Sequence, residues 1–176
     1  MKQSVPLSIH ISVARQQLKV KRGRTIVRSF PVSTSKFGLG SEVGSFKTPI
    51  GRFRVSDKFG DDLAIDTAFK SRRPLRPTKK MLADDDLVMS RILWLDGLEP
   101  RNANSRERYI YIHGTNHEEL IGQPASHGCI RMRNADVAEL FQLVPLETKV
   151  VIAPPRLPGR AKKKGEKSVA RRKRPA

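Results

Sequence analysis

Leu7, Ile9, Ile11 and Val13 alternate with Ser8, His10 and Ser12, a pattern that predicts a half-buried strand with His10 on its exposed side. Gln17 to Val20 and Thr25 to Val32 flank Lys21-Arg22-Gly23-Arg24 and predict a hairpin. Ser33 to Gly44, rich in Ser and Gly, reads as a mobile loop. Thr48-Pro49-Ile50-Gly51 then turns into a strand at Phe53-Arg54-Val55. The most apolar run, Leu87 to Leu98, predicts one or two buried strands ending at Asp96-Gly97, with Trp94 in the core. Tyr109-Ile110-Tyr111-Ile112 alternates aromatic and β-branched residues, a strand signal that ends at His113, where Gly114 permits a sharp turn. The period changes at Val137, Leu140, Phe141 and Val144, which fall on one face of a helix with Asn134 as N-cap and Pro145 as its stop. Lys149 to Ala153 reads as a last strand. The expected fold is mainly β, a sandwich or partly closed barrel with one principal helix after Cys129.

Asp57 to Asp86 fits this pattern least. It reads either as a lid over a site or as a solvated crossover, and Asp84-Asp85-Asp86 as a solvated acidic turn. The 176 residues suffice for one domain with a real core. A single cysteine excludes an intramolecular disulfide, and no run of about 18 apolar residues is present to span a membrane. No apolar stretch precedes the first strand, so no signal peptide is expected in the chain as written.

Charge divides the sequence into two parts. Residues 156–176 hold ten Lys/Arg against one Glu, half of the formal net charge of +18. This tail lacks aromatics and any apolar period, which predicts disorder after a folded domain at 1–155. Its partners would be an anionic polymer or an anionic membrane surface, or it is simply solvated. Without aromatics for base stacking, no specific nucleic-acid partner is predicted.

Candidate chemistry concentrates between Tyr109 and Met132, which holds Cys129 together with His113, His117 and His127. A thiol needs a base to become a nucleophile, and an imidazole needs a third group to fix its tautomer. Backbone N–H groups around Gly128 and Cys129 suit a developing oxyanion, and Arg131 suits a substrate carboxylate. A zinc site from His113, His117, His127 and Cys129 is the competing reading. Against it, His127 and Cys129 lie two apart, no Cys-x-x-Cys accompanies them, and His117 falls in a polar turn. Neither a metal nor a cofactor is called for.

His113-Gly114 followed by Ser126-His127-Gly128-Cys129-Ile130-Arg131 resembles the active-site signature of the L,D-transpeptidases, the YkuD-type cell-wall enzymes. Leu18-Lys19-Val20, Pro31 to Ser35, Thr48 to Phe53, Arg91 to Glu99 and Asn104 to Asn116 extend the resemblance over residues 7–153. It implies that Cys129 is the nucleophile, that His113 is the general base, and that the Gly114 carbonyl orients it. His127, Gly128 and Ser126 would support the loop, with Arg131 and Asn116 in substrate binding. It also implies the L,D-transpeptidase fold and acyl transfer on peptidoglycan stem peptides through a Cys129 thioester. Cross-linking, exchange of the terminal D-amino acid, and L,D-carboxypeptidase hydrolysis would share that site. The implied location is the periplasm or cell envelope, with the cytoplasm open because no export signal is read. The alternative function is polyanion binding through the basic tail on an inactive scaffold.

Overall fold

In the computed structural model, described over residues 5–155, the opening alternation forms β1 (Leu7–Ser12), β2 (Gln17–Arg22) and β3 (Thr25–Pro31), joined antiparallel. Ile9 lies opposite Val20 and Ile11 opposite Leu18, so all four side chains bury on one face. His10 is on the other face but only half-exposed, with Nε2 3.1 Å from Ser8 Oγ. The predicted tail at 156–176 lies outside the described residues.

The last strand, β10 (Lys149–Ala153), inserts between β1 and β4 (Gly51–Phe59), parallel to the first and antiparallel to the second. Beyond β4 come β7 (Val88–Gly97), then β8 (Tyr111–Gly114), then β9 (Ile130–Met132), the last pair parallel. A short hairpin, β5 (Ala68–Lys70) and β6 (Arg73–Leu75), adds to β7 and completes a ten-stranded sheet. The Asp57–Asp86 region is therefore more regular than the sequence suggested: it contains the end of β4, this hairpin, and α1 (Lys79–Asp84), capped by Thr78.

Ser33, just past β3, exchanges backbone hydrogen bonds of 2.9 and 2.8 Å with Arg131 of β9. The two ends of the sheet path thereby meet, giving the partly closed barrel. The segment read as a mobile loop is instead tied into the fold at its start: Ser33, Thr34 and Ser35 are buried, and Ser35 and Leu39 make further bridges to Ser126 and Thr48. Its small side chains allow backbones to approach rather than loosening them.

α2 (Asn134–Leu143) lays Val137, Leu140 and Phe141 against the core. Asn134 is its first residue rather than its cap. The Asn134 backbone N–H donates instead to Glu118 Oε1 at 2.7 Å, so a carboxylate from a remote turn satisfies the helix start. The strand read from Tyr109 begins two residues late, because Tyr109 adopts a left-handed backbone (φ 56°) and is exposed. Side-chain alternation in β8 then separates two faces. Ile112 packs into the main core with Leu93 and Ile130. Tyr111 packs on the opposite face with Ile92 and Phe69, where Trp94 and Cys129 are only partly buried. Trp94 is thus a wall of this second face and not a core residue. No helix among the described residues is long and apolar enough to cross a membrane.

Candidate active site

β8 and β9 run parallel with Ile112 beside Ile130 and His113 beside Arg131. One step back, the Tyr111 N–H donates to Cys129 Sγ at 3.4 Å. Alternation therefore puts Tyr111, His113, Cys129 and Arg131 on one face, with His113 and Cys129 as diagonal neighbours. A pairing that is sixteen residues apart in sequence becomes one cluster because the two strands are adjacent.

His113 is 3% exposed, and its Nδ1 lies 2.5 Å from the Gly114 carbonyl. A carbonyl only accepts, so Nδ1 carries the proton and the lone pair sits on Nε2. Burial pushes the imidazole down to about 4 and the Cys129 thiol up to about 11. The resting pair is a thiol and a neutral imidazole. Cys129 Sγ also donates to the Tyr109 carbonyl at 3.3 Å, so the left-handed turn that delays β8 presents an acceptor to the thiol.

The loop before the cysteine is clamped from both sides. Ser126 Oγ donates to the Cys129 carbonyl at 2.6 Å and accepts the Gly128 N–H at 3.3 Å. Thr48 Oγ1 donates to the Gly128 carbonyl at 3.0 Å while accepting the Ser35 N–H at 2.9 Å. Gly128 is left-handed (φ 118°), a backbone that glycine adopts without strain. Gly114 is demanded for another reason: a Cβ there would overlap Asn134 Oδ1 and come within 2.8 Å of the Met89 carbonyl. Gly114→Ala is expected to cost about 2 kcal/mol or more in urea-unfolding stability, since the close neighbours belong to packed backbone and a buried amide. A loss below about 0.5 kcal/mol would show that the site relaxes freely.

Arg131, expected to meet a substrate carboxylate, is 3% exposed and already met by Asp86, 2.5 Å away, and by the Ala125 carbonyl at 2.9 Å. His127 Nδ1 approaches the same Asp86 oxygen at 3.1 Å, and its ring rests against Phe37 and Phe46. Asn116, also expected at the substrate, spends its amide on the chain instead. Its Oδ1 accepts from Leu87 N at 2.9 Å, and its Nδ2 donates to Leu82 O at 3.0 Å and Asp85 O at 2.7 Å. It thus holds in place the segment that delivers Asp86. Asp86 was not legible as a site residue: in sequence it is the last of three acids on a turn. Asp86→Ala is expected to cost about 1–3 kcal/mol, read by urea unfolding, because the buried Arg131 cation loses its charged partner.

His117 belongs to this outer turn, with Nδ1 3.3 Å from Glu119 and Nε2 3.2 Å from the Asp85 carbonyl. Among the described residues, no three His, Cys, Asp or Glu side chains converge to hold a metal ion. A cavity of about 740 Å³ opens between Leu63, Thr67, Leu75, Leu82 and Met89, and neither Cys129 nor His113 is in its lining. Met89 is the β7 partner of Gly114, so the cavity adjoins the end of β8.

The family pattern described as the L,D-transpeptidase catalytic domain, YkuD, matches residues 6–152. The putative L,D-transpeptidase YkuD of Bacillus subtilis is 27% identical over 149 residues, 85% of this chain and 67% of that protein. The putative L,D-transpeptidase YqjB of the same organism is 47% identical over 60 residues, 34% of this chain and 32% of its own length. Among solved structures, an L,D-transpeptidase from Xylanimonas cellulosilytica superposes with a TM-score of 0.56 at 21% identity, covering 87% of this chain and 63% of the other. The match thus spans only about a third of YqjB and less than two thirds of that solved chain.

Proposed function

This chain belongs to the L,D-transpeptidase catalytic-domain family, and from that membership we propose that it transfers acyl groups between peptidoglycan stem peptides through Cys129. The observation that carries this reading is the tautomer lock at His113, which leaves Nε2 basic on the face that also carries the thiol. In the proposed cycle, Nε2 takes the thiol proton as sulfur attacks the carbonyl of the third-position diamino acid in a tetrapeptide donor. The Gly128–Cys129 backbone receives the oxyanion, for which Gly128 N–H turns from its long bond to Ser126. Collapse breaks the bond to the terminal D-alanine, whose amine leaves with the proton from imidazolium, and a thioester remains. An acceptor amine then gives a proton to Nε2, attacks the thioester, and restores the thiol. Water in that role would make the enzyme an L,D-carboxypeptidase.

Burial favours the uncharged thiol and imidazole, so the proton transfer accompanies attack rather than preceding it. The cell envelope is the matching location. The test is release of D-alanine from a disaccharide-tetrapeptide, with product masses naming the acceptor. No release with any amine or water would oppose the proposal.

A second reading, polyanion binding, draws on the net charge of +18 and on a cavity of about 510 Å³ walled by His10, Arg15, Lys19 and Lys21. No carboxylate lines that cavity, and Arg15, Lys19 and Lys21 make no ion pair among the described residues, while burial and Lys21 keep the His10 imidazole below its ordinary value. It would suit an anionic polymer or membrane surface as a further partner.

A further inference from the structure

The face that carries Cys129 also carries a cation, Arg72, that makes no ion pair among the described residues; Asp57, the carboxylate whose charge it feels, is itself paired with Arg106. Arg72 sits at the tip of the β5–β6 hairpin, in a two-residue turn where Ser71 (φ 50°) and Arg72 (φ 65°) are both left-handed. Such turns favour Asn-Gly, and each ordinary side chain there costs about 1 kcal/mol. Strained turns of this kind concentrate where a side chain must be aimed. Here the guanidinium lies 4.6 Å over Trp94 and 5.5 Å from Tyr109, and Nη1 donates to the Tyr111 hydroxyl at 3.1 Å. The backbone N–H of the same Tyr111 touches Cys129 Sγ, so one tyrosine separates the cation from the thiol.

The other arginines around the nucleophile are occupied. Arg131 is paired with Asp86 and Arg106 with Asp57, while Arg108 donates to the carbonyls of Gly40 and Lys47. Arg72 alone of these four has neither a carboxylate nor backbone carbonyls to satisfy it among the described residues. A guanidinium stacked on a ring keeps its N–H edges free for a planar anion.

We infer that Arg72, Tyr111 and Trp94 form a carboxylate subsite beside Cys129, selecting stem peptides whose third-position diamino acid carries a free side-chain carboxylate over those carrying the amide. This rests on the proposed acyl-transfer reading for the identity of its ligand. Charge-assisted, two-pronged hydrogen bonding distinguishes carboxylate from carboxamide by about tenfold to a hundredfold.

The chain has a single tryptophan, Trp94, which reports on this subsite directly. The full chain with Cys129→Ala, which blocks turnover, is titrated with carboxylate and carboxamide tetrapeptides while Trp94 fluorescence is followed. The carboxylate peptide is expected to bind about tenfold to a hundredfold more tightly, Arg72→Gln to erase the difference, and Arg72→Lys to retain part of it. Equal affinity for both peptides, no saturable response to either, or a preference that survives Arg72→Gln would each overturn the inference. D-alanine release with Cys129 intact separates the two ideas. Release that continues while the preference is absent sinks the subsite alone, and a preference without release sinks the acyl-transfer reading alone.

Discussion

Cys129→Ala is expected to lower D-alanine release from a tetrapeptide donor by about ten-thousandfold or more, to the level of an enzyme without its nucleophile. In the proposed cycle the sulfur forms the covalent intermediate, and its neighbours on the β8–β9 face, Tyr111, His113 and Arg131, offer no substitute thiol or hydroxyl poised next to a base. Fold loss will not imitate this effect. Cys129 is only half-buried, and its loop is held by Ser126 and Thr48 through backbone carbonyls that alanine keeps. Far-UV circular dichroism and the urea midpoint should therefore change little. Cys129→Ser is expected to fall nearly as far, because a hydroxyl is far less easily deprotonated by an imidazole than a thiol.

His113→Gln is expected to cost about a hundredfold to ten-thousandfold in kcat/KM, the range for removing a general base. Glutamine retains a group that donates to the Gly114 carbonyl, so the loss isolates proton transfer from packing. The pH profile adds a signature. Burial lowers His113 to about 4 and raises Cys129 to about 11, so the free protein keeps the reactive neutral pair between those values. Activity is expected to fall only as pH drops towards 4, and to hold through the neutral range. An acid limb near the ordinary histidine value of 6.5 would contradict this burial. Stability carries the same sign. The folded state holds the imidazole neutral, so its contribution is complete above 6.5 and is lost as pH falls towards about 4. The loss is on the order of 3 kcal/mol.

Strands with one buried face were readable because their side chains alternate: Ile9 and Ile11 against Leu18 and Val20 required only period-two reasoning. The α2 stripe was readable for the corresponding reason at helical period. What escaped were features fixed by partners remote in sequence. Asp86 and Arg131 meet across 45 positions, and an aspartate in an acidic run gives no local sign of its partner. The start of α2 is satisfied by Glu118, so the local Asn134 signal misplaced the cap by one residue. Tyr109 has strong β propensity, yet its left-handed backbone serves the thiol and stops the strand. Trp94 looked like core because its run is apolar, but alternation in β7 sends Leu93 and Leu95 into the main core and leaves Trp94 on the opposite face, towards Arg72, Arg106 and the tyrosines. The Ser/Gly composition of the segment after β3 suggested motion because the pairing that holds it involves backbone, which composition does not reveal.

A thioester at Cys129 is read from the intact mass of the full chain after brief incubation with a disaccharide-tetrapeptide, quenched in acid. The expected result is an added mass equal to the donor less D-alanine, mapping to the peptide that contains Cys129 and absent from Cys129→Ala. D-alanine release that proceeds undiminished in Cys129→Ala, or an adduct mapping to another residue, would contradict it.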